Sequence, residues 1–277
     1  MRVEVARYAG ICYGVERALK LAEEAAESGD AVHTLGPLIH NPQAVAALRE
    51  RGVEVASTLD DVPAGTLVIR SHGVAPAIIE DARLHGLHVV DATCPHVSKA
   101  HEAAEELKRG GYTVVIVGEA DHPEVEGIMA HAGGEALVVS SAAELPAKLP
   151  SRRVGVVVQT TQSLDRLTEV VEAITPRASE LRVFNTICSA TGKRQQSAQE
   201  LGENVDVVIV VGGHNSGNTT RLVEICQAVN SRVYHVETAE DLDPTWFSGA
   251  ESVGVTAGAS TPDEQMQGVI RAIEAME

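Results

Sequence analysis

Apolar runs and stretches of helical periodicity alternate along the chain. The run His88-Val89-Val90 leads into Asp91-Ala92-Thr93-Cys94-Pro95-His96, and a helical pattern from Val97 to Leu107 follows. That order predicts a strand, a cysteine beside a helix N-terminus, then the helix, a setting whose partial positive charge favours thiolate. The same succession surrounds Cys12 and Cys188. Further strands are predicted at Ala31–Leu35, Thr113–Val117 and Val207–Val211, one after each of these helices.

Aligned on their cysteines, the three stretches agree in detail. The fifth residue after each is basic (Arg17, Lys99, Lys193), the tenth alanine (Ala22, Ala104, Ala198) and the twelfth glutamate (Glu24, Glu106, Glu200). The twenty-eighth is a polar loop residue: His40, His122, Ser216. Each loop opens a helix and a short strand, then an acidic turn with proline, as in Asp60-Asp61-Val62-Pro63, Glu144-Leu145-Pro146 and Glu240-Asp241-Leu242-Asp243-Pro244. A third strand ends in a second polar loop: Arg70-Ser71-His72-Gly73, Gln159-Thr160-Thr161-Gln162 and Ala257-Gly258-Ala259-Ser260. The chain therefore reads as an internal threefold repeat with a period of roughly 80–95 residues, the size of a small domain.

Strands Leu87–Asp91 and Leu181–Thr186 close the first two repeats, whereas the third ends in a helix, Asp263–Met276, with no strand after it. The segment Met1–Gly10, where Val3 and Val5 alternate with charged residues, supplies the missing strand. The expected domains are thus 12–93, 94–187, and 188–277 with 1–11, three small α/β layers with mostly parallel pairing. Loops at the C-terminal ends of such strands are where these sheets hold ligands.

Composition fits a water-soluble enzyme. Hydrophobic residues make up 44% and aromatics only 3%, so valine, alanine, leucine and isoleucine must fill the cores. No apolar run approaches the ~20 residues that span a bilayer. No charged-then-apolar leader precedes Val3, so the expected location is cytoplasmic. The net charge of −17 has no basic tract within it, which makes nucleic acid and anionic membrane poor partners. No cysteine pair has the Cys-x-x-Cys spacing, and a disulfide framework is not expected. Cys226, on the apolar face of a predicted helix, reads as a small buried hydrophobe.

A pseudo-threefold ring would bring Cys12, Cys94 and Cys188 to one axis. Three thiolates with an open fourth position suit zinc or an iron–sulfur cluster. The six polar loops would then surround that position with His40, His72, His122, Thr160, Ser216, Ser260, Asn41, Asn218 and Glu124. His33, His85, His88, His101 and His131 look ordinary by comparison. His40-Asn41-Pro42 and His122-Pro123-Glu124 both open helices, where backbone N–H groups bind anions. Ser216-Gly217-Asn218-Thr219, after Gly212-Gly213, is a similar turn without a P-loop lysine. Together these loops suggest a small substrate carrying phosphate groups. Glu124 is the natural proton donor, because a dry site raises a carboxyl pKa.

These segments resemble the LytB/IspH family of 4-hydroxy-3-methylbut-2-enyl diphosphate reductases. The matching residues are Cys12-x-Gly14-Val15-x-Arg17-Ala18, His40-Asn41-Pro42, Ser71-His72-Gly73-Val74, Asp91-Ala92-Thr93-Cys94-Pro95, His122-Pro123-Glu124-Val125-x-Gly127, Gln159-Thr160-Thr161, Cys188-x-Ala190-Thr191, Asn215-Ser216-x-Asn218 and Thr256-Ala257-Gly258-Ala259-Ser260. They run through almost the whole chain in the family's order.

The resemblance implies a three-domain α/β trefoil around one [4Fe–4S] cluster. Cys12, Cys94 and Cys188 would hold the cluster, leaving an iron open to the substrate hydroxyl. It implies reductive loss of that hydroxyl, with isopentenyl and dimethylallyl diphosphate as products in the non-mevalonate pathway. His40, His72 and Ser260, with the Ser216-Gly217-Asn218 turn, would bind the diphosphate, with His122 close by. Glu124 would supply the proton, and Thr160 would orient the hydroxyl. A soluble donor such as ferredoxin or flavodoxin would bring electrons.

Two departures from the family pattern are visible. Asp121 stands before His122 where glycine is expected, so a carboxylate there bears on the loop and on the basicity of His122. Gly217 stands where some members carry a second serine, which removes one hydroxyl donor. Three other readings of the same residues differ in their observables: a hydro-lyase would need no reductant, a zinc hydrolase would be colourless, and a redox sensor would need an output surface.

Overall fold

A computed structural model describes residues 1–276. After β1 (Arg2–Val5) the chain runs through three successive sets of elements. The first is α1 (Tyr13–Glu27), β2 (Val32–Leu35), α2 (Pro42–Glu50), β3 (Val53–Ala56), β4 (Thr66–Ile69), α3 (Pro76–Leu84) and β5 (His88–Asp91). The second is α4 (Pro95–Arg109), β6 (Thr113–Val117), α5 (Pro123–His131), β7 (Leu137–Val139), β8 (Arg153–Val158), α6 (Leu164–Ile174) and β9 (Glu180–Phe184). The third is α7 (Ser189–Gly202), β10 (Val207–Val211), α8 (Gly217–Val229), β11 (Val233–Val236), β12 (Ser252–Ala257) and α9 (Asp263–Glu274).

The strands form three four-stranded sheets, ordered β3-β2-β4-β5, β7-β6-β8-β9 and β11-β10-β12-β1. Every pairing is parallel. The N-terminal strand lies beside β12, with Arg2 opposite Ser252 and Val5 opposite Val255. It is shorter than its alternation predicts. It ends at Val5, and the chain then bends through Gly10, whose φ of 77° lies in the left-handed region open to glycine.

The compact units of the chain are Met1–Glu16 with Ile39–Ala47 and Ser189–Glu277, and Arg17–Leu38 with Leu48–Cys188. In the first, β10 is buried on both faces, which explains its unbroken apolar sequence. Val207, Ile209 and Val211 pack with Val269, Ile270 and Ile273 of α9. Val208 and Val210 turn to the opposite face, toward Leu222 and Cys226 of α8 and Ala198 of α7. In the second unit β6 divides its residues the same way. Val115 and Val117 pack with Leu167, Val170 and Ile174 of α6, while Val114 and Ile116 join Leu107 of α4 and Ile128 of α5.

The repeats exchange bulk between helix and strand. The thirteenth residue after Cys94 and Cys188 is a leucine, Leu107 and Leu201. Each fills the space left by a strand glycine: a Cβ on Gly155 would lie 2.3 Å from Leu107 Cδ2, and one on Gly254 would lie 2.7 Å from Leu201 Cγ. In the first repeat that helix residue is Ala25, and the strand position in the same register is Thr66. The first repeat thus carries a small helix residue and a larger strand residue at the positions where the other two carry leucine and glycine.

The acidic turns are short 3-10 turns at Leu59–Asp61, Ala142–Glu144 and Ala239–Asp241. Each acid caps the backbone before it: Asp61 accepts from the Thr58 N–H at 2.9 Å, Glu144 from Ser140 at 2.8 Å and Asp241 from Thr238 at 2.9 Å. No described helix is long and apolar enough to cross a membrane.

Candidate active site

The three cysteines occupy equivalent positions by hydrogen bond as well as by sequence. The Cys12 N–H donates to the Ala259 carbonyl, Cys94 to Ser71 and Cys188 to Thr160, each at 3.0 Å. Those carbonyls lie two residues past the ends of β12, β4 and β8. Each thiol is therefore tied to the loop at the C-terminal end of a central strand. Cys94 is also the N-cap of α4, with Pro95 at its first helical position, where the missing N–H costs nothing. Cys12, Cys94 and Cys188 are half-buried thiols, whereas Cys226 is wholly enclosed. Burial pushes the Cys226 thiol up to about 11, which keeps it protonated and unsuited to metal.

Within the second compact unit, Glu124 is the focus. It stands in the first turn of α5 and is 2% exposed. The Thr160 N–H donates to its Oε1 at 2.6 Å and the Thr160 hydroxyl to its Oε2 at 2.8 Å. Burial dominates those bonds and lifts the carboxyl from 4.5 to about 7. The loop that holds Glu124 through Thr160 also receives the Cys188 backbone.

His122 is the N-cap of α5, its Nδ1 accepting from the Glu124 N–H at 3.1 Å. Burial first, and then the charge of Arg70, lowers it to about 4. It is a neutral imidazole at physiological pH, and with Nδ1 engaged as acceptor its hydrogen sits on Nε2. The His72 ring lies edge-on to it, the centroids 5.5 Å apart. Arg70, partly desolvated, donates through Nε to the Gly73 carbonyl and reaches Glu126 at 3.5 Å. Asp121 is exposed, and burial and Arg70, rather than Asp121, set the basicity of His122.

The first compact unit gathers the remaining polar loops. Ser216 caps α8, its Oγ accepting from the Thr219 N–H at 3.3 Å, and Gly217 takes the first helical position. Asn218 accepts through Oδ1 from the Ala259 N–H at 2.9 Å, while its buried amide nitrogen has no hydrogen-bond partner among the described residues. The Ser260 hydroxyl donates to the His40 carbonyl at 2.9 Å. A Cβ on Gly213 would lie 3.1 Å from that carbonyl, so the glycine loop can pass close to it. Asn41, fully buried, caps α2 by accepting from Ala44 and donates to Gln265 Oε1 of α9 at 2.9 Å. His40, Ser216, Gly217, Asn218 and Ser260 thus belong to one unit with Cys12, and His72, His122, Glu124 and Thr160 to the other with Cys94 and Cys188.

Several contacts could not be read from the sequence. His101 is 6% exposed and lowered to about 4 by burial, and its ring stacks on His131 with centroids 4.1 Å apart. It fills the space beside two glycines: added Cβ atoms on Gly73 and Gly127 would meet it at 2.5 and 2.9 Å. The signal was present as glycines next to His72 and three residues past Glu124. Gln159, Gln162 and Glu119 form a second buried network beside Thr160. Their hydrogen bonds join separate strands and leave no mark in local spacing.

Three soft thiols in matching backbone settings are a donor set suited to an iron–sulfur cluster. The family model for LytB protein matches residues 3–274. The 4-hydroxy-3-methylbut-2-enyl diphosphate reductase of Geobacter sulfurreducens is 52% identical over 275 residues, covering 99% of this chain and 97% of the relative. That of Geotalea uraniireducens is 50% identical over the same length and coverage. A solved structure of the reductase described as the terminal enzyme of the non-mevalonate pathway aligns with a TM-score of 0.73 at 46% identity, over 99% of this chain and 100% of the other. The structure of the Plasmodium falciparum reductase aligns with a TM-score of 0.93 at 27% identity, over 98% and 87%. In sequence and fold alike, the chain belongs to the LytB family.

Proposed function

We propose that this protein is a 4-hydroxy-3-methylbut-2-enyl diphosphate reductase of the non-mevalonate isoprenoid pathway. The reaction breaks the allylic C–O bond, consumes two electrons and two protons, and releases water with isopentenyl or dimethylallyl diphosphate. Family membership and the activities of close relatives support this reading. The observation that carries it is Glu124, a buried carboxyl raised to about 7 and bonded to a hydroxyl on the loop that anchors Cys188.

In this reading Cys12, Cys94 and Cys188 hold one [4Fe–4S] cluster per chain. When bound, such a cluster supplies electrons and a Lewis-acidic iron at the site where the hydroxyl leaves. The protein supplies the proton. The Thr160 hydroxyl donates to Oε2 of the ionised carboxylate. Because the Thr160 N–H occupies Oε1, a proton taken up by Glu124 sits on Oε2 and reverses that bond, so that Glu124 donates to the Thr160 oxygen. The Thr160 hydroxyl then passes its own proton to the departing oxygen and is refilled from Glu124.

His40, His72, Ser260 and the Ser216-Gly217-Asn218 turn bind the diphosphate, with His122 beside them. Anionic oxygens need hydrogen-bond donors, and these residues offer them. The α8 N-terminus and the Asn218 amide attract such oxygens, and neutral His122 presents Nε2–H. Segments 12–93, 94–187, and 188–277 with 1–11 act as three domains. Electrons arrive from a soluble cytoplasmic donor such as ferredoxin or flavodoxin.

Anaerobic purification with iron and sulfide analysis tests the reading, together with turnover of the hydroxylated diphosphate under a strong reductant. We expect about four irons per chain and loss of the substrate hydroxyl. Glu124→Gln should keep the iron and lose turnover by a factor of about 10²–10⁴. A protein that takes up no iron, or one that holds iron without touching this diphosphate, overturns it.

A further inference from the structure

Glu119 lies in the loop between β6 and α5 and Glu124 in the first turn of α5, and only Glu124 takes part in the reaction described above. Glu119 is half-buried and gripped from the loop after β8. Gln159, fully buried, accepts through Oε1 from the Glu119 N–H at 3.0 Å and donates through Nε2 to its Oε2 at 3.1 Å. Gln162, 2% exposed, donates to the other carboxylate oxygen at 2.9 Å. Gln159 Nε2 also donates to Thr161 Oγ1 at 3.0 Å. The four residues Gln159-Thr160-Thr161-Gln162 therefore serve two carboxyl groups at once: Thr160 holds Glu124, while the flanking glutamines hold Glu119.

We propose that Glu119 is a positioning residue for the proposed acid, fixing the 159–162 loop against Glu124 and using its negative charge to keep the proton on Glu124. The inference rests on the reading of Glu124 as proton donor and adds a residue to it. Two glutamine amides donate to the two oxygens of the Glu119 carboxylate. A fixed negative charge nearby opposes ionisation of a second carboxyl. The other charged and titratable groups around Glu124 do not supply this effect. His122 on its own element and His101 on α4 are neutral near pH 7. Arg70 and Glu126 are paired with each other, Asp121 is exposed, and the 159–162 loop has no titratable side chain. Glu119 is the one charge that adds to burial in raising the proton affinity of Glu124.

The test is the pH dependence of kcat for the reduction in the holoenzyme, wild type beside Glu119→Gln and Glu119→Asp. Turnover needs protonated Glu124, so it declines as pH rises through the carboxyl pKa. Glu119→Gln should move that decline to lower pH by on the order of half a unit, whereas Glu119→Asp, which keeps the charge, should restore most of it. A purely structural role lowers kcat without moving the decline. An unmoved decline, or one displaced upward, therefore overturns the proposal. Should Glu119→Gln fail to fold, Gln162→Met loosens the same carboxylate, and its decline must also move downward. Wild-type protein that does not reduce the diphosphate overturns the functional reading itself. Normal wild-type turnover with an unmoved variant overturns only the role of Glu119.

Discussion

Replacing Thr160 with valine removes one oxygen from a buried site and keeps the shape of the side chain. The backbone bond from Thr160 N–H to Glu124 Oε1 survives, and the hydroxyl bond to Oε2 does not. The two protonation states of Glu124 lose unequal amounts. An ionised carboxylate loses a charge-assisted bond of about 1.5–3 kcal/mol, whereas a neutral carboxyl loses an ordinary one of about 0.5–1.5 kcal/mol. The difference, about 1–1.5 kcal/mol against the ion, corresponds to about one pH unit. The sign is upward: Glu124, already lifted to about 7, should hold its proton to about a unit higher.

Two effects should therefore separate in one experiment. The alkaline decline of kcat in Thr160→Val should move up by about one unit, while the plateau should fall by about 10²–10⁴ because the relay oxygen is gone. Thr160→Ser keeps the oxygen and should restore both. The assay is anaerobic reduction of the diphosphate with a chemical reductant across a pH series, with iron content measured in each variant. A decline that stays in place, or moves downward, refutes the argument that the hydroxyl favours the ionised form. A plateau within a factor of about two of wild type refutes the relay, since general-acid groups contribute far more than that.

Other outcomes follow from the same structure. Glu124 has its folded pKa raised from 4.5 to about 7, so its stabilising contribution is complete below 4.5 and is lost as pH rises through about 7. Glu124→Gln should thus gain stability over wild type between pH 5 and 8, on the order of 3 kcal/mol, read from denaturant midpoints; a difference independent of pH refutes it. Cys94→Ser should lose bound iron, whereas Cys226→Ala should retain it, because Cys226 packs in the α7–α8 core; iron and sulfide analysis of both variants distinguishes them. Gly155→Ala forces a methyl to within 2.3 Å of Leu107 Cδ2 and should destabilise by about 1–3 kcal/mol. A thermal melt unchanged from wild type would show that Leu107 moves aside without cost.

The strands and the three cysteines were legible because the chain can be compared with itself. Val207–Val211, Thr113–Val117 and Ala31–Leu35 stand at one offset from their cysteines, and the structure places strands there, the last beginning one residue later. The acidic turns were legible for a local reason, since one acid caps the backbone just before it. Glu124 could be singled out from its helix-opening motif, but its partner could not be deduced. Thr160 lies 36 residues away, and only the pairing of β6 with β8 brings their loops together. The polar loop of Gln159 and Gln162 was legible, but its bonds to Glu119 were hidden for the same reason, as was the place of His101, which looks like any helical histidine until two glycines are found against it.

Such tertiary information is not wholly absent from a repeating chain. Leu107 faces Gly155 and Leu201 faces Gly254, while the corresponding helix and strand positions of the first repeat are Ala25 and Thr66. In the two leucine repeats, side-chain bulk stands on the helix where the strand has none, at positions 48 and 53 residues apart, as close packing requires when neither backbone can move away. A single repeat shows only a glycine inside a strand, which by itself suggests weakness. Three repeats side by side show that the glycine makes room for a leucine, and so identify which helix face covers which strand. The polar loops that carry the proposed site differ from repeat to repeat, so this self-comparison is weakest there. The bond from a hydroxyl to the carboxyl, Thr160 to Glu124, occurs in the second repeat alone; the third keeps only its backbone half, from the Ala259 N–H to Asn218 Oδ1.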